Sequence, residues 1–215
     1  IAALKVLNDT GDGTFDAIFA GVDFCVDYAE QFNVKIITMS LSDKREYSKE
    51  TCPKTYGNRV DKALFAGIFV DAASSNEYYR NGISFPACAS GIVSVGATHD
   101  ANVTGQLDQL TGFTNRGQNL DVLAPGSLIT APSSHKGNTC GAPNKDGFGS
   151  CEGTSMAAPH VAGVAALLLE INPSLKPFQI EQILKITGKP VFDDRTRLTF
   201  PRVDALAAAR FAANP

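Results

Sequence analysis

The sequence predicts an α/β protein: one three-layer domain with a mostly parallel sheet flanked by helices, incomplete at its N-terminus. Three observations predict it. Short apolar runs alternate with amphipathic helical patterns, and that alternation builds a parallel sheet covered on both faces. The 215 residues suffice for one well-packed domain, and no internal repeat, low-complexity tract or interdomain linker divides them. Composition is that of a globular protein, 44% hydrophobic and 19% charged.

The first run, "AALKVL" (2–7), reads as a strand already under way with no initiator Met, so the expectation is a processed or truncated chain. "TFDAIFAGVDFCVDYAEQF" (14–32) places Phe15, Ile18, Phe19, Val22, Cys25, Val26 and Ala29 at three-to-four spacing and reads as one helix. Thr14 caps it and Asp16 suits the positive end of its dipole. "VKIITMSL" (34–41) is a strand. After a polar loop, "NRVDKALFAG" (58–67) is a helix stopped near Gly67. "IFVDAA" (68–73), "GIVSVGA" (91–97) and "LDVLAPG" (120–126) are strands. "SMAAPHVAGVAALLLEI" (155–171), "KPFQIEQILKIT" (176–187) and "PRVDALAAARFAA" (201–213) are helices. Segments 42–58 and 133–153 are long surface loops, a kind of segment that often carries function.

Bulk properties exclude some partners. A net charge of −3 without a block of Lys or Arg argues against nucleic acid, which needs a concentrated basic patch. The longest clean apolar run, "VAALLL" (164–169), is too short to span a bilayer, so no membrane partner is expected. Of the five cysteines, Cys25 sits in a helical pattern and packs as a small hydrophobe. Cys52, Cys88, Cys140 and Cys151 lie in loop-like sequence. Two disulfides, Cys140 with Cys151 and Cys52 with Cys88, and an exported protein are expected; the alternative is five reduced thiols in a cytosolic one. No C-x-x-C occurs and no His stands near a Cys at ligand spacing, so no zinc site is expected.

The chemistry concentrates in "CEGTSMAAPHVAG" (151–163). Taken alone, Thr154 or Ser155 reads as a helix cap. The neighbours say more. Pro159 is expected within the first turn, where a missing N–H costs little. Ala157, Ala158, Ala162 and Gly163 keep the helix thin enough to pack deep against the sheet. A serine at the mouth of such a helix faces free N–H groups and a positive dipole end. Negative charge developing beside it, as acyl transfer requires, would be stabilised there.

"GTSMAAPHVAGVAALL" resembles the nucleophile segment of the subtilisin-like serine proteases, the subtilases. "LKVLNDTGDGTFDAIFAGVDFCVDYAEQFNVKIITMSLS" resembles their strand–helix–strand that ends in the substrate-binding segment. "VDKALFAGIFVDAASSNE" resembles the helix and strand leading to their oxyanion asparagine. "FPACASGIVSVGAT", "FTNRGQNLDVLAPG" and "FPRVDALAAA" resemble later segments, in collinear order over essentially the whole chain. The resemblance implies a subtilisin-like fold, with residues 1–215 as the C-terminal majority of a single catalytic domain. It implies Ser155 as nucleophile and Asn76 as donor to the oxyanion beside the Ser155 N–H. It implies Ser40, Leu41 and Ser42 along an extended substrate, and Ala72, Ala73, Ser74 and Ser75 as a wall of the primary specificity pocket. Two positions depart from the family pattern. Ser75 and Ser42 stand where the family usually has Gly, so a different bend is expected before Asn76 and a crowded substrate strand at Ser42.

A serine hydroxyl is a poor nucleophile until a base takes its proton. The three histidines do not offer one. His160 lies about 140° around the helix from Ser155 and is a structural part of the motif. His99 ends a strand, and His135, in the long loop before the nucleophile, would serve only by swinging inward, the less favoured alternative. Subtilases order their triad Asp, His, Ser, and both partners fall upstream of this sequence. The chain alone is therefore expected to be inactive. Asp9 in "NDTG" (8–11) mimics the family's Asp-Thr-Gly but lies after the wrong strand and reads as a turn. "GDGTFD" (11–16) imitates a dinucleotide loop, but Asp9, Asp12 and Asp16 would repel a pyrophosphate. Those acids leave room for a structural calcium ion, though they do not match an EF-hand; the reaction itself needs no cofactor.

The resulting expectation is a secreted, monomeric serine endopeptidase. Its partners are a peptide or protein substrate and the missing N-terminal part of its own domain. The alternative is a pseudoprotease that binds extended peptides without cutting them. A non-peptidase hydrolase is disfavoured, because residues 153–157 read G-x-S-x-A and open a helix. Sequons stand at Asn8 and Asn102.

Overall fold

A computed structural model describes residues 1–100, 105–132 and 147–214. The first helix, α1 (Phe15–Asp27), begins where expected, with the Thr14 hydroxyl accepting from Ala17 N at 3.2 Å. It breaks at Tyr28, and a single turn, α2 (Ala29–Phe32), follows, closed by Asn33 at φ 49°. The chain then lays down β1 (Ile36–Met39), α3 (Gly57–Phe65), β2 (Phe69–Ala73), β3 (Val93–His99) and β4 (Val122–Ser127). Gly67 at φ +78° stops α3 as its position suggested. A two-stranded ladder, β5 (Ile129–Pro132) with β6 (Phe148–Cys151), leads into α4 (Thr154–Ile171) and α5 (Pro177–Thr187). A hairpin, β7 (Lys189–Asp193) and β8 (Leu198–Arg202), precedes α6 (Ala205–Ala213).

The main sheet runs β1-β2-β3-β4-β8-β7, parallel throughout except between β7 and β8. Alternation along β2 divides the core in two. Val70 and Ala72 face a cluster with Phe19 and Val22 of α1 and Val60 and Ala63 of α3. Phe69 and Ala73 face a second cluster with Ala157, Ala158, Val161, Ala165 and Leu168 of α4, Leu184 of α5 and Ala208 of α6. Helices on both faces of a mostly parallel sheet make the three-layer α/β fold that the sequence predicts. Among the described helices α4 alone is long and apolar enough to cross a membrane. Here it is the core helix of the second layer.

Besides the break at Tyr28 in the helix expected over 14–32, and strand β6 within the loop expected over 133–153, further expectations need correction. Residues 2–7 form no strand, and Ile1 to Lys5 are exposed. A strand exists only with a partner ladder, and these residues pair with none; Val6 merely rests against the first cluster beside Gly21. The hairpin was invisible as strand because Pro190 and Pro201 interrupt it. The two prolines face each other across the ladder, Pro190 on the edge strand β7 and Pro201 on β8, which pairs with β4 only at Arg202, and prolines are tolerated at such a sparsely paired margin. The last helix starts at Ala205 rather than 201, because residues 201 and 202 complete β8 and Asp204 caps α6 by accepting from Ala207 N at 2.9 Å.

The expected disulfide Cys52–Cys88 is present, with Cα atoms 5.8 Å apart, and Cys25 is a buried free thiol. Cys140, Asn102 and His135 lie outside the described residues. Asp9 sits in an exposed turn that Asn8 organises by accepting from Thr10 and Asp12, and Asp9 itself pairs with Lys5 at 3.0 Å.

Candidate active site

The site is assembled at the first turn of α4. Gly153 precedes the helix at φ +146°, a conformation that side chains rarely adopt, and it offers no side-chain cap. The cap comes from another element. Asn76, three residues beyond β2, accepts through Oδ1 from Thr154 N at 2.9 Å and from Thr154 Oγ1 at 3.1 Å. Thr154 Oγ1 in turn accepts from Ser75 N at 3.1 Å. The completely buried Thr154 side chain thus knots the loop after β2 to the helix mouth. With Oδ1 held, Asn76 Nδ2 and the Ser155 N–H have no partner among the described residues. Both border the same space: a methyl group at Gly153 would stand 3.5 Å from Nδ2 and 3.7 Å from Ser155 N.

Pro159 lies in the second turn of α4, not the first, since the helix begins at Thr154. Having no N–H, it leaves the Ser155 carbonyl without its usual helical donor. Ser40 supplies one: its Oγ donates to Ser155 O at 2.8 Å. Ser155 Oγ is turned toward Ser40 O at a long 3.4 Å. The segment 40–42 therefore runs directly past the serine. Leu41 packs against the first core cluster. Ser42 Oγ meets Ser75 Oγ at 2.6 Å. Ala72, Ala73, Ser74 and Ser75 are all buried. Against expectation the bend before Asn76 is a left-handed one of the kind Gly favours, for Ser75 adopts φ +82° despite its side chain.

The loop that carries Asn76 is held from behind. Asn115 N donates to Ser75 O at 2.9 Å. Its side-chain Oδ1 accepts from Glu77 N at 2.8 Å and Tyr79 N at 3.1 Å, and its Nδ2 donates to Glu77 Oε2 at 2.7 Å. The next residue, Arg116, is buried and donates to the carbonyls of Thr111, Gly112 and Thr114 and to Asp193 at 3.1 Å. Burial pulls the guanidinium below its usual value while Asp193 opposes that. Burial also pushes the Asp193 carboxyl up, but the Thr196 hydroxyl, Arg116 and the Arg195 and Thr196 N–H groups outweigh it and leave it below the ordinary range.

Among the described residues no histidine or carboxylate touches Ser155 Oγ. His160 is exposed and its Nδ1–H donates to Met156 O at 2.8 Å, away from the serine. His99 ends β3 and is tied through its backbone to Gln109 and Asp108. Two residues of the site carry little signal in the sequence: Thr154 reads as a helix cap, and Asn115 is marked only by the segment "FTNRG". No group of three His, Cys, Asp or Glu side chains among the described residues is arranged to hold a metal. A cleft of about 620 Å3 between Ser48, Arg80, Asn119 and Arg195 and another of about 510 Å3 between Phe65 and Phe178 share no residue with this site.

The subtilase family (peptidase S8) matches residues 1–204. Subtilisin DY of Bacillus licheniformis is 36% identical over 194 residues, which are 89% of this chain and 61% of that protein. A subtilisin of Bacillus pumilus is 37% identical over 189 residues, 86% of this chain and 59% of that one. The crystal structure of a cold adapted subtilisin-like serine proteinase superposes with a TM-score of 0.73 at 29% identity, covering 93% of this chain and 64% of that one. The chain thus spans about six-tenths of the length of these relatives, and it belongs to the subtilase family.

Proposed function

We propose that residues 1–215 are the C-terminal majority of one catalytic domain of a serine endopeptidase that works through an acyl-enzyme on Ser155. What carries the reading is the pairing of Asn76 and Ser155 at the mouth of α4. Asn76 spends its oxygen on Thr154, which leaves its amide and the Ser155 N–H to receive a developing negative charge. Ser155 Oγ attacks the peptide carbonyl carbon while a base accepts its proton. The resulting oxyanion accepts from Asn76 Nδ2 and Ser155 N. The C–N bond then breaks, the base returns its proton to the departing amine, and water releases the acyl group by the reverse steps. The substrate lies extended along Ser40, Leu41 and Ser42, with Ala72 to Ser75 beside the residue that precedes the cut.

The base and the carboxylate that orients it come from polypeptide beyond these 215 residues. Two features support this: the outer edge of β1 pairs with no strand among the described residues, and Thr38 on it is exposed. The chemistry needs no cofactor. The protein acts as an exported monomer, in keeping with its Cys52–Cys88 disulfide.

The test is hydrolysis of a succinyl-tetrapeptide anilide by the chain alone and mixed with the polypeptide encoded immediately upstream. The mixture is expected to cleave, the Ser155→Ala mixture to be silent, and the chain alone to fall short by a factor on the order of 10⁶. Ser155-dependent turnover by the chain alone contradicts the proposal. The pseudoprotease alternative, favoured by the Ser42–Ser75 contact, instead predicts peptide binding without turnover in every mixture.

A further inference from the structure

We infer that the hydroxyl pair Ser42–Ser75 closes the pocket beside the nucleophile, so that the site selects peptides with Gly or Ala before the cut and turns away aromatic residues there. This rests on the reading of Ser155 as nucleophile. Both segments meet the first turn of α4. Ser40–Ser42 is fastened to it through the reciprocal contacts of Ser40 with the Ser155 carbonyl and hydroxyl. Ser75–Asn76 is fastened to its neighbour Thr154. A side chain that enters between them must separate them, and at 2.6 Å the two Oγ atoms are already in hydrogen-bond contact. An aromatic ring needs about 3.5–4 Å to the atoms on each of its faces, so none fits while the pair stands.

The segments are also not free to part. Ser75 is 4% exposed, its N–H donates to Thr154 Oγ1 at 3.1 Å, and its carbonyl accepts from Asn115 N at 2.9 Å. On the other side, the residue after Ser42 is anchored by Asp43 N to Phe85 O at 3.0 Å. The preceding residues Ala72, Ala73 and Ser74 are 0%, 2% and 0% exposed, so this wall is packed into the core. Ser75 holds its hydroxyl in place from a left-handed backbone at φ +82°, where Gly would sit without strain. The two serines at positions where subtilases usually carry Gly therefore act together, as one crossbar.

The inference is tested by binding, which needs no catalysis. The probes are the succinyl-Ala-Ala-Pro-Ala and succinyl-Ala-Ala-Pro-Phe carboxylates, titrated by NMR into the full chain. The wild-type chain is expected to bind the first at least about tenfold more tightly, the scale on which pocket size discriminates. The Ser42→Gly/Ser75→Gly variant, which removes both hydroxyls and relieves the left-handed backbone, is expected to bring the ratio to one or invert it. Ser42→Ala, which removes only the hydrogen bond, is expected to fall between. Tighter or equal binding of the Phe peptide by the wild-type chain, an unchanged ratio in the double variant, or no binding of either peptide overturns the inference. Failure of the upstream mixture to cleave would count against the reaction, not against this ratio, which is read without turnover.

Discussion

At the scale of single residues, the candidate site depends on how an asparagine is aimed. A free asparagine side chain could present either its oxygen or its nitrogen to a substrate. Here the Thr154 N–H and hydroxyl claim the oxygen, and the nitrogen is what remains. In the assembled enzyme Asn76→Ala is expected to lower kcat about 10²–10³-fold with little change in KM, the pattern of a donor used only in the transition state; a KM effect alone would remove Asn76 from that role. Thr154→Val should act through Asn76. It loses the hydroxyl that donates to Asn76 and leaves the Ser75 N–H unpaired in a buried place, which costs about 1–3 kcal/mol of unfolding free energy. It should also lower kcat without adding any charge to the site.

At the scale of elements, strand β2 carries a group that a sheet core seldom tolerates. Asp71 lies on the α4 face, between Thr38 of β1 and Val93 of β3 in register, and is completely buried. Thr38 Oγ1 donates to one carboxyl oxygen at 2.7 Å, and the other has no partner among the described residues. The α4 side chains over this face are Ala157, Ala158, Val161, Val164 and Ala165, none of them charged. Burial therefore pushes the Asp71 carboxyl well above its ordinary value, with Thr38 opposing only in part. The folded state holds this proton more tightly than the unfolded chain does. The contribution of this group to stability is then fully present below the ordinary Asp value of about 3.9 and is lost as pH rises from there toward the folded value. The slope is about 1.4 kcal/mol per pH unit for one proton. Asp71→Asn should keep the Thr38 contact and flatten that slope in urea unfolding measured from pH 4 upward. An identical slope in variant and wild type would show that Asp71 ionises freely.

The same scale shows what the sequence could and could not say. The helices α1, α3, α4 and α5 and the strands β1 to β4 were legible because each carries a strong apolar period. Residues 2–7 have the same period but lack a partner, and pairing is not written in a strand's own residues. The β7–β8 hairpin was hidden by Pro190, on the edge strand, and Pro201, on a strand that meets β4 only at Arg202. In the candidate site the sequence singles out Ser155 and Asn76 by their segments, and their roles stand as proposals. The bonds between them were not, since Ser42 and Ser75 are 33 residues apart and Ser40 and Ser155 are 115 apart. Only the fold brings those residues together.

At the scale of the whole molecule, a relay of contacts leads from the C-terminal hairpin to the candidate site. Asp193 of β7 holds the buried Arg116. Arg116 gathers the carbonyls of residues 111, 112 and 114, and the adjoining Asn115 holds the loop that presents Asn76. Asp193→Ala leaves a buried guanidinium uncompensated and should cost about 3–5 kcal/mol of stability near neutral pH. Because the Asp193 carboxyl lies below the ordinary range, its contribution is present above the unfolded value and lost as pH falls through the folded one. The deficit of the variant should therefore shrink in acid; a deficit independent of pH would assign the cost to packing alone. The opposite edge of the sheet, at β1, is where the remaining machinery is proposed to join.

The most direct test of that proposal is to treat the chain with a fluorophosphonate probe, alone and together with the upstream polypeptide, and to locate any adduct by mass spectrometry. An adduct on Ser155 is expected in the mixture, and essentially none on the chain by itself. Rapid labelling of Ser155 in the isolated chain would contradict it, because the base would then reside within these 215 residues.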